Sequence, residues 1–396
     1  KIVMTNFTLF ILALANASVV VGMGLLTPSI LLIKNHFSAN AESVQLLLTY
    51  YMIAAGLGQL IFGTLSDFYG RKPILVLGGF LFFAASLLSI FASDLIYLLI
   101  LRTFQGLGAA ACMSMARVII TDSFKKAEAA EKLSLMTAIM VIFPLISLIL
   151  GGFIAEAIGW IGVMYIFVIF GLIIFIFAFV KISESKVVRA KNLRINHIYL
   201  SYVTVLKNSK FLNLMLISSI QVGVFFSSFG YMPYEFGRLG ISPLEFGFWL
   251  SFTGIGYFFG NILNRHYASI LGLEKLIIVG SALSLISYLS MLLMHLNNFV
   301  SPLYIAVPVI LFGLGNGFTV ANCIIGAVSI TGNNSGTATG VAGALQMSSG
   351  GVIGILVIFM GGANSFLICL IIINLLCITA FVSSVINYRG VTLIKV

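Results

Sequence analysis

The segment between residues 63 and 73 combines a carboxylate and a guanidinium, four positions apart, between two long apolar runs. Asp67, at the end of a helix, can pair with Arg71 or accept hydrogen bonds from the N-terminus of a neighbouring helix. Glycines in the same segment permit a tight turn and a close approach between helices. A charge pair that forms in one conformation and breaks in another acts as a latch. The predicted conformational latch contains Gly63, Asp67, Gly70, Arg71 and Lys72.

A second charge, Arg102, lies within an apolar run and is followed one helical turn later by Gln105. At 1.5 Å per residue, Arg102 lies roughly 9 Å inside the outer end of its predicted membrane span. A charged side chain at such a depth is a functional candidate by default. Gln105, Ala109 and Met113 continue one helical stripe that suits a cavity wall. The alternative is that the Arg102 side chain extends to the outer interface.

The composition places these charges in a membrane protein. The chain of 396 residues is 60% hydrophobic and only 8% charged, whereas about a quarter of the residues of a soluble domain are charged. Its net charge of +10 would suit a nucleic-acid partner, but the basic residues lie in short loops between apolar runs, so we expect none.

The four cysteines lie within apolar runs and the four histidines are scattered. We therefore expect no disulfide framework, no metal, no cofactor and no enzymatic activity.

The apolar runs predict twelve membrane spans, because each span needs roughly 20 apolar residues to cross a bilayer. They are residues 7–33, 44–64, 74–92, 96–121, 132–155, 161–181, 209–234, 245–264, 275–297, 302–330, 336–361 and 364–387. The first run is too long for a signal-peptide core and is interpreted as a retained helix. The longest polar insertion, residues 182–208, separates an N-terminal bundle at residues 1–181 from a C-terminal bundle at residues 209–396. On this reading, residues 63–73 form a short loop after the second span.

The distribution of basic residues predicts the topology. Of the 21 Lys and Arg residues, 17 fall on the side of the N-terminus, two on the other side and two within the fourth span. Positive charge is retained on the cytoplasmic side during insertion, so both termini are expected in the cytoplasm.

The two halves repeat short patterns. Glycine-rich segments recur in the fourth and tenth spans, at residues 104–110 and 312–317. Such segments are expected of an internal transporter repeat, although small residues also recur wherever membrane helices pack closely. In the fifth span, Pro144, Gly151 and Gly152 are expected to kink and thin the helix, in a gating or a packing role.

These motifs resemble those of the major facilitator superfamily. Residues 63–72 resemble its pattern Gly-x-Leu-(Ala/Ser)-Asp-x-x-Gly-Arg-(Arg/Lys), with Phe68 where many members have a basic residue. Residues 102–108 resemble its pattern Arg-x-x-Gln-Gly-x-Gly. Residues 144–152 are similar to the Pro-rich, Gly-Gly-ending motif of exporting members, with Leu148 in place of the usual second proline. Other segments resemble the Bcr/CflA-type drug-efflux branch of drug:proton antiporters: residues 28–30, 45–63, 117–122 and 336–343.

The resemblance implies an all-α membrane protein with twelve transmembrane helices in two pseudo-symmetric six-helix bundles. It implies a secondary active transporter that exports small amphipathic, drug-like molecules across a bacterial inner membrane by alternating access, in exchange for protons. We expect a lipid-embedded monomer. The alternatives are an exporter of an endogenous metabolite such as a siderophore, or an uncoupled facilitator. A channel or receptor is less consistent with the two matched halves.

In this family the first and fourth helices of each half line the pathway. The resemblance therefore implies a substrate cavity formed by Asn16, Arg102, Gln105, Met113, Gln221, Phe225, Phe226, Tyr231, Asn316 and Asn322. Aromatic and Met side chains offer adaptable apolar contacts, and amides fix orientation. Since Arg102 is the only permanent charge predicted well inside the pathway, an anionic or neutral cargo is favoured over a cation.

The resemblance breaks at the proton-coupling site. Members of the branch usually carry an acidic residue in the first span, where this chain has Gly24, and all eleven acidic residues fall in loops or near span ends. Coupling could use a span-end acid, either Asp122 near Arg117 or Glu235. It could instead use His295, or the cargo could carry the proton itself. The sequence leaves these alternatives open.

Overall fold

A computed structural model describes residues 6–124, 126–185 and 195–394, which are almost entirely helical and contain no strand. The backbone divides into two compact units, Lys1–Leu193 and Arg194–Val396. The helices of the first unit are α1 Asn6–Gly24, α2 Ile30–His36, α3 Ala41–Tyr69, α4 Arg71–Ser89, α5 Leu95–Ser123, α6 Lys126–Ile158 and α7 Trp160–Lys181. Those of the second unit are α8 Ile195–Lys207, α9 Ser209–Arg238, α10 Pro243–Leu271, α11 Leu273–Leu296, α12 Leu303–Ile330, α13 Ser335–Val357 and α14 Phe366–Ile394.

Local sequence signals explain where these helices begin. Asn40 accepts a hydrogen bond from the backbone N–H of Ser43 at 2.8 Å and starts α3, and Asp94 does the same for Tyr97 at the start of α5. Ser242 and Glu245 form a reciprocal capping box at the start of α10. Each cap satisfies a backbone donor that would otherwise lack a partner in the first helical turn.

A single glycine with positive φ separates the second and third membrane helices of each unit. Gly70 (φ 98°) stands between α3 and α4, and Gly272 (φ 80°) stands between α10 and α11. A residue with a side chain rarely adopts this backbone conformation. The predicted loop at residues 63–73 is therefore wrong in extent, because Asp67 belongs to the last turn of α3 and Arg71 begins α4.

The two units use the same pattern of helix packing. In the first unit α5 packs against α3, α4 and α1, α4 packs against α7, and α1 packs against α6. In the second unit the corresponding helices pair in the same way: α12 packs against α10, α11 and α9, α11 packs against α14, and α9 packs against α13. Each unit by itself thus has the arrangement expected of one half of an internal repeat.

Glycines allow the closest of these approaches. Gly78 of α4 faces the backbone of Gly108 of α5, and Gly280 of α11 faces the backbone of Gly315 of α12 in the same manner. A Cβ at any of these positions would lie within 3 Å of a neighbouring main-chain atom. The glycine-rich segments that recur in the fourth and tenth predicted spans therefore make equivalent helix–helix contacts in the two units.

Most predicted spans agree with the observed helices. Among the described residues, eleven helical segments are long and apolar enough to cross a membrane, and Ile142–Ile158, within α6, is a shorter apolar helix. The prediction of an all-α membrane protein is confirmed. The structure differs from the prediction in two details. The first predicted span is interrupted by a short 3-10 turn, Thr27–Ser29. The polar insertion at residues 182–208 contains a helix, α8.

Candidate functional site

The predicted latch is centred on Arg71, which is only 9% exposed. Its Nη1 donates to Asp67 Oδ1 at 2.9 Å, and its Nε donates to Asp122 Oδ2 at 2.9 Å. Its Nη1 also donates to Ser66 Oγ. One guanidinium therefore ties the end of α3 and the end of α5 to the first turn of α4, as its planar fork of donors allows.

Glu184 completes this cluster and was missed by the sequence analysis. It follows α7, and its two carboxylate oxygens accept the backbone N–H groups of Arg71 at 2.9 Å and Lys72 at 3.3 Å. A carboxylate at this position caps the N-terminus of α4 and is stabilised by the helix dipole. No spacing rule connects residue 184 with residue 71, so only the fold reveals the contact.

The remaining latch residues have distinct surroundings. The Lys72 ammonium lies 5.8 Å from the centre of the Phe179 ring. Gly70 supplies the positive φ of the turn. Gly63 was expected to allow a close approach, but a Cβ added there would meet no described atom within 4 Å.

The structure separates the predicted coupling pair. Asp122 accepts from Arg71, whereas Arg117 donates from Nε to Asn16 Oδ1 at 2.8 Å. Asn16 lies on α1 and is only 2% exposed, so the Arg117 contact ties α5 to α1. Asp122 thus belongs to the latch cluster.

Arg102 is fully buried within the first unit, with 0% exposure. Its Nη2 donates to the carbonyl oxygen of Gly22 at 3.0 Å, and its Nη1 donates to Gln105 Oε1 at 2.9 Å. The Gln105 amide then donates to Ser86 Oγ at 2.9 Å. The guanidinium carbon lies 4.0 Å from the centre of the Tyr51 ring. The Arg102 Nε also donates to the carbonyl oxygen of Leu47 at 3.4 Å. These contacts join α1, α3, α4 and α5, and each of the three guanidinium nitrogens has a partner inside the protein.

The expectation of an anionic or neutral cargo rested on Arg102 as a charge in the pathway, and with Arg102 buried among partners of its own unit that expectation stays a prediction. Arg102 does not extend to the interface, because its partners lie on α1, on α3 and on its own helix, α5. Met113 is likewise buried, at 1% exposure. Both residues lie in the interior of the first unit.

In the second unit, two of the predicted cavity residues contact each other. Asn316 Nδ2 of α12 donates to the main-chain carbonyl oxygen of Gln221 of α9 at 3.4 Å. The Gln221 side-chain Oε1 accepts from Ser284 Oγ of α11 at 2.9 Å, while its Nε2 is buried and has no hydrogen-bond partner among the residues that the structure describes.

The other predicted cavity residues of this unit form separate contacts. Phe225 and Phe226 pack edge to face with ring centres 5.0 Å apart. The Tyr231 hydroxyl lies 3.2 Å from that of Tyr288. Asn322, six residues beyond Asn316 on α12, donates to Asn264 Oδ1 at 2.7 Å. Only Gln221 and Asn316 are therefore brought into one polar cluster.

A second buried ionic cluster surrounds Glu235, near the end of α9. Glu235 is 6% exposed, and its Oε2 accepts from Arg238 Nε at 2.7 Å. Its Oε1 accepts from the hydroxyl of Tyr304 of α12 at 2.5 Å. Among the side chains that the structure describes, Glu235 is the only acidic residue that is buried.

The predicted gating residues of α6 lie against α1. Pro144 lies inside α6, which is helical from Lys126 to Ile158, and Gly151 lies against the backbone of Leu25, where a Cβ would clash. Gly152 is buried beside it. Ser147, one turn before Gly151, lies against Gly24. These positions permit close packing of α6 on the broken first span, and their gating role stays a prediction.

The fold and these clusters define a polytopic membrane transporter. The chain matches the family described as Major Facilitator Superfamily over residues 12–355 and belongs to that family. Among solved structures it is similar to an inward-facing bacterial homologue of the human lysosomal transporter Spinster, with a TM-score of 0.76 and 15% identity over 97% of this chain and 96% of that one. It is also similar to a D-xylose–proton symporter, with a TM-score of 0.75 and 15% identity over 97% and 98% of the two chains.

The relatives in sequence include resistance proteins. The chain is 26% identical to a bicyclomycin resistance protein homologue of Haemophilus influenzae over 357 residues, 89% of each protein. It is 26% identical to a chloramphenicol resistance protein of Pseudomonas aeruginosa over 87% of this chain and 82% of the relative. The resemblance to the Bcr/CflA-type branch is thus confirmed, and the protein is a transporter rather than an enzyme.

Proposed function

We propose that this protein exports small amphipathic compounds of the chloramphenicol or bicyclomycin type across a bacterial inner membrane in exchange for protons. The observation that carries the proposal is its similarity, over more than four fifths of the chain, to proteins named for resistance to these compounds. The family membership supports a transport cycle of alternating access.

The proposed cargo is uncharged. Arg102, the one guanidinium predicted in the pathway, has no exposure and is bonded within the first unit. An ionic cargo would lack a counter-charge at that depth. We place cargo recognition on the amides of Gln221 and Asn316, with apolar contact from Phe225, because Gln221 retains an unpaired donor.

The proposed latch acts during the cycle through Arg71. It bonds to groups at the ends of α3 and α5, while Glu184 caps α4. The side chains of Asp67 and Asp122 are 50% and 30% exposed, so each ion pair contributes about 1 kcal/mol or less, and the cluster as a whole can favour one conformation. We propose that residues 1–181 and 209–396 act as the two bundles, joined by residues 182–208, in a monomer with both termini in the cytoplasm.

The test is transport in everted membrane vesicles that contain the protein, prepared from a drug-susceptible strain. An imposed proton gradient, acid inside, should drive radiolabelled chloramphenicol into the vesicles, and a protonophore should abolish uptake. Arg71→Ala vesicles with the same amount of protein serve as the control and should show a large loss of uptake. Vesicles that take up no chloramphenicol or bicyclomycin would contradict the proposed cargo.

The second candidate is an uncoupled facilitator or a metabolite exporter. It is favoured by the position of Glu235, the one buried acid among the described side chains, close to the end of its helix rather than at its middle. The same vesicles separate the two functions. A facilitator would equilibrate chloramphenicol without responding to the proton gradient.

A further inference from the structure

The short helix that precedes α9 leaves large apolar side chains exposed. α8, Ile195–Lys207, packs against α9 and α13, and its Val205 is only 1% exposed. Leu200 and Leu206 nevertheless remain 59% and 44% exposed. A helix on a water-covered surface usually presents polar and charged residues on its outer face. The exposed leucines therefore indicate that something other than water covers α8.

One face of α8 combines apolar side chains with a positive charge. Leu200, Thr204 and Lys207 share this face, because residues three and four positions apart are neighbours on a helix. All three are exposed. The Thr204 hydroxyl donates to the carbonyl oxygen of Leu200 at 2.7 Å, so its polar group is already bonded within the helix. The ammonium group of Lys207 lies at the end of the face that leads into α9.

The first turns of α9 indicate the level of this face relative to the bilayer. Asn208 separates the two helices and caps α9 by accepting from the backbone N–H of Phe211 at 3.1 Å. Lys210 is exposed in the first turn, and the next exposed side chains on α9 are Leu212 and Leu216, at 40% and 45%. A helix of 30 residues is longer than the hydrocarbon core requires. The change from lysine to leucine therefore marks the membrane surface, with the end of α8 at headgroup level.

The lysines at this level have no carboxylate nearby on the helices that pack together here. α8, α9 and α13 contain one acidic residue between them, Glu235, at the other end of α9. Residues 185–234 include six Lys and Arg residues and no acidic residue. By contrast, Arg71 of the first unit has two aspartate partners. The positive charge of Lys207 and Lys210 is thus complementary to an anion supplied from outside the protein.

We propose that Leu200, Leu206, Lys207 and Lys210 form a docking surface for anionic phospholipids. The two lysines contact the phosphate groups of the lipids, and the two leucines enter the boundary between headgroups and acyl chains. Each lysine near an anionic leaflet strengthens the attraction. The bound lipids supply the negative charge that the surrounding helices lack, and they hold the start of α9 at the membrane surface. By the predicted topology this is the cytoplasmic face, and binding requires no cargo.

The experiment places a fluorescent reporter on the docking surface itself. Full-length protein with Leu206→Trp, in which Trp160→Phe and Trp249→Phe remove the other two tryptophans, is reconstituted in vesicles of phosphatidylcholine and phosphatidylglycerol. Quenching of its fluorescence by brominated forms of each lipid gives their relative binding constant at position 206. At low salt this constant should favour the anionic phosphatidylglycerol about tenfold. A salt concentration of about 0.5 M should reduce the preference by screening the charges.

Matched variants separate this surface from the general positive charge of the cytoplasmic side. Lys207→Gln together with Lys210→Gln should bring the relative binding constant close to one. Arg265→Gln together with Lys275→Gln removes two exposed cations from α10 and α11 of the same unit and should leave the preference unchanged. An equal loss of preference in the two double variants would overturn the proposal.

Two further results would also contradict the docking of lipid on α8. Equal quenching by the two lipids at low salt would show that the surface does not select anionic headgroups. Quenching by neither lipid would show that another part of the protein, or a protein partner, covers the leucines. Native mass spectrometry of the protein without the tryptophan changes, from micelles with equal amounts of both lipids, gives an independent measurement. The protein should retain more phosphatidylglycerol, and the Lys207→Gln, Lys210→Gln variant should retain less of it.

Discussion

Tyr51 of α3 and Arg102 of α5 form a stacked pair around which the first unit is assembled. The Arg102 guanidinium carbon lies 4.0 Å from the centre of the Tyr51 ring. The Tyr51 hydroxyl donates to the carbonyl oxygen of Ser18 at 3.0 Å, and Arg102 donates to that of Gly22. Both side chains therefore reach one stretch of α1 from two different helices.

Replacing Arg102 should affect stability more than cargo selection. Arg102→Ala leaves a cavity beside Tyr51 and removes the donors that face Gly22 and Gln105, so the folded state should lose about 3 kcal/mol or more. Thermal unfolding in detergent measures this loss, with Arg265→Ala, an exposed arginine, as the control. If Arg102→Ala instead folded normally and lost only one charge class of cargo, Arg102 would belong to the pathway.

We expect the proposed latch to require the planar donors of arginine at position 71. Arg71→Lys should reduce vesicle uptake of chloramphenicol about tenfold, because one ammonium cannot bond to both Asp67 and Asp122 in the observed geometry. The control is Arg265→Lys at equal protein level. Uptake by Arg71→Lys equal to that of the wild type would show that charge alone suffices at this position.

Asp122→Asn should slow cargo and proton movement together. Asp122 accepts from Arg71 Nε at 2.9 Å, so we expect its replacement to weaken the proposed latch and to leave proton coupling in place. The ratio of protons to chloramphenicol, measured in proteoliposomes with a pH-sensitive dye, should equal that of the wild type. Chloramphenicol transport that continues after proton movement has stopped would identify Asp122 as the coupling carboxylate.

Glu184 should contribute to stability through the N-terminus of α4. Glu184→Ala leaves the Arg71 and Lys72 N–H groups without their acceptor, which costs about 0.5–2 kcal/mol for a typical helix cap. Glu184→Gln should recover part of this loss, because its amide oxygen still accepts. Denaturant unfolding compares these variants with Glu128→Ala, an exposed acid in the first turn of α6. Equal stability of Glu184→Ala and the wild type would exclude the capping role.

Close helix packing should make Gly313 intolerant of a side chain. A Cβ at Gly313 would clash with the backbone of α10 at Thr253 and Tyr257, and overpacking typically costs about 1–3 kcal/mol. Gly313→Ala should therefore reduce the yield of folded protein and its melting temperature. Gly336→Ala is the matched control, since a Cβ there would meet no described atom within 4 Å. Similar behaviour of the two variants would contradict the observed α10–α12 packing.

The contacts of Arg71 differ in how well the sequence predicts them. The spacing of Asp67 and Arg71 predicted their contact because residues four apart face each other on adjoining helical turns. The roles of Asp122 and Glu184 were not accessible in this way, since each lies more than 50 residues from Arg71 along the chain. Asp122 was paired with Arg117 because the two are close in sequence. In the structure Asp122 accepts from Arg71, and Arg117 donates to Asn16.

The amino-acid order by itself determined that this chain spans a membrane many times, because its apolar runs have the length of a bilayer and few charges. It also determined where the repeated glycines and the latch motif lie. Only the tertiary structure decided what the buried charges do. The burial of Arg102 and Glu235 and the partners that they bond depend on which helices pack side by side, and contacts between distant segments leave no periodic pattern in a single sequence.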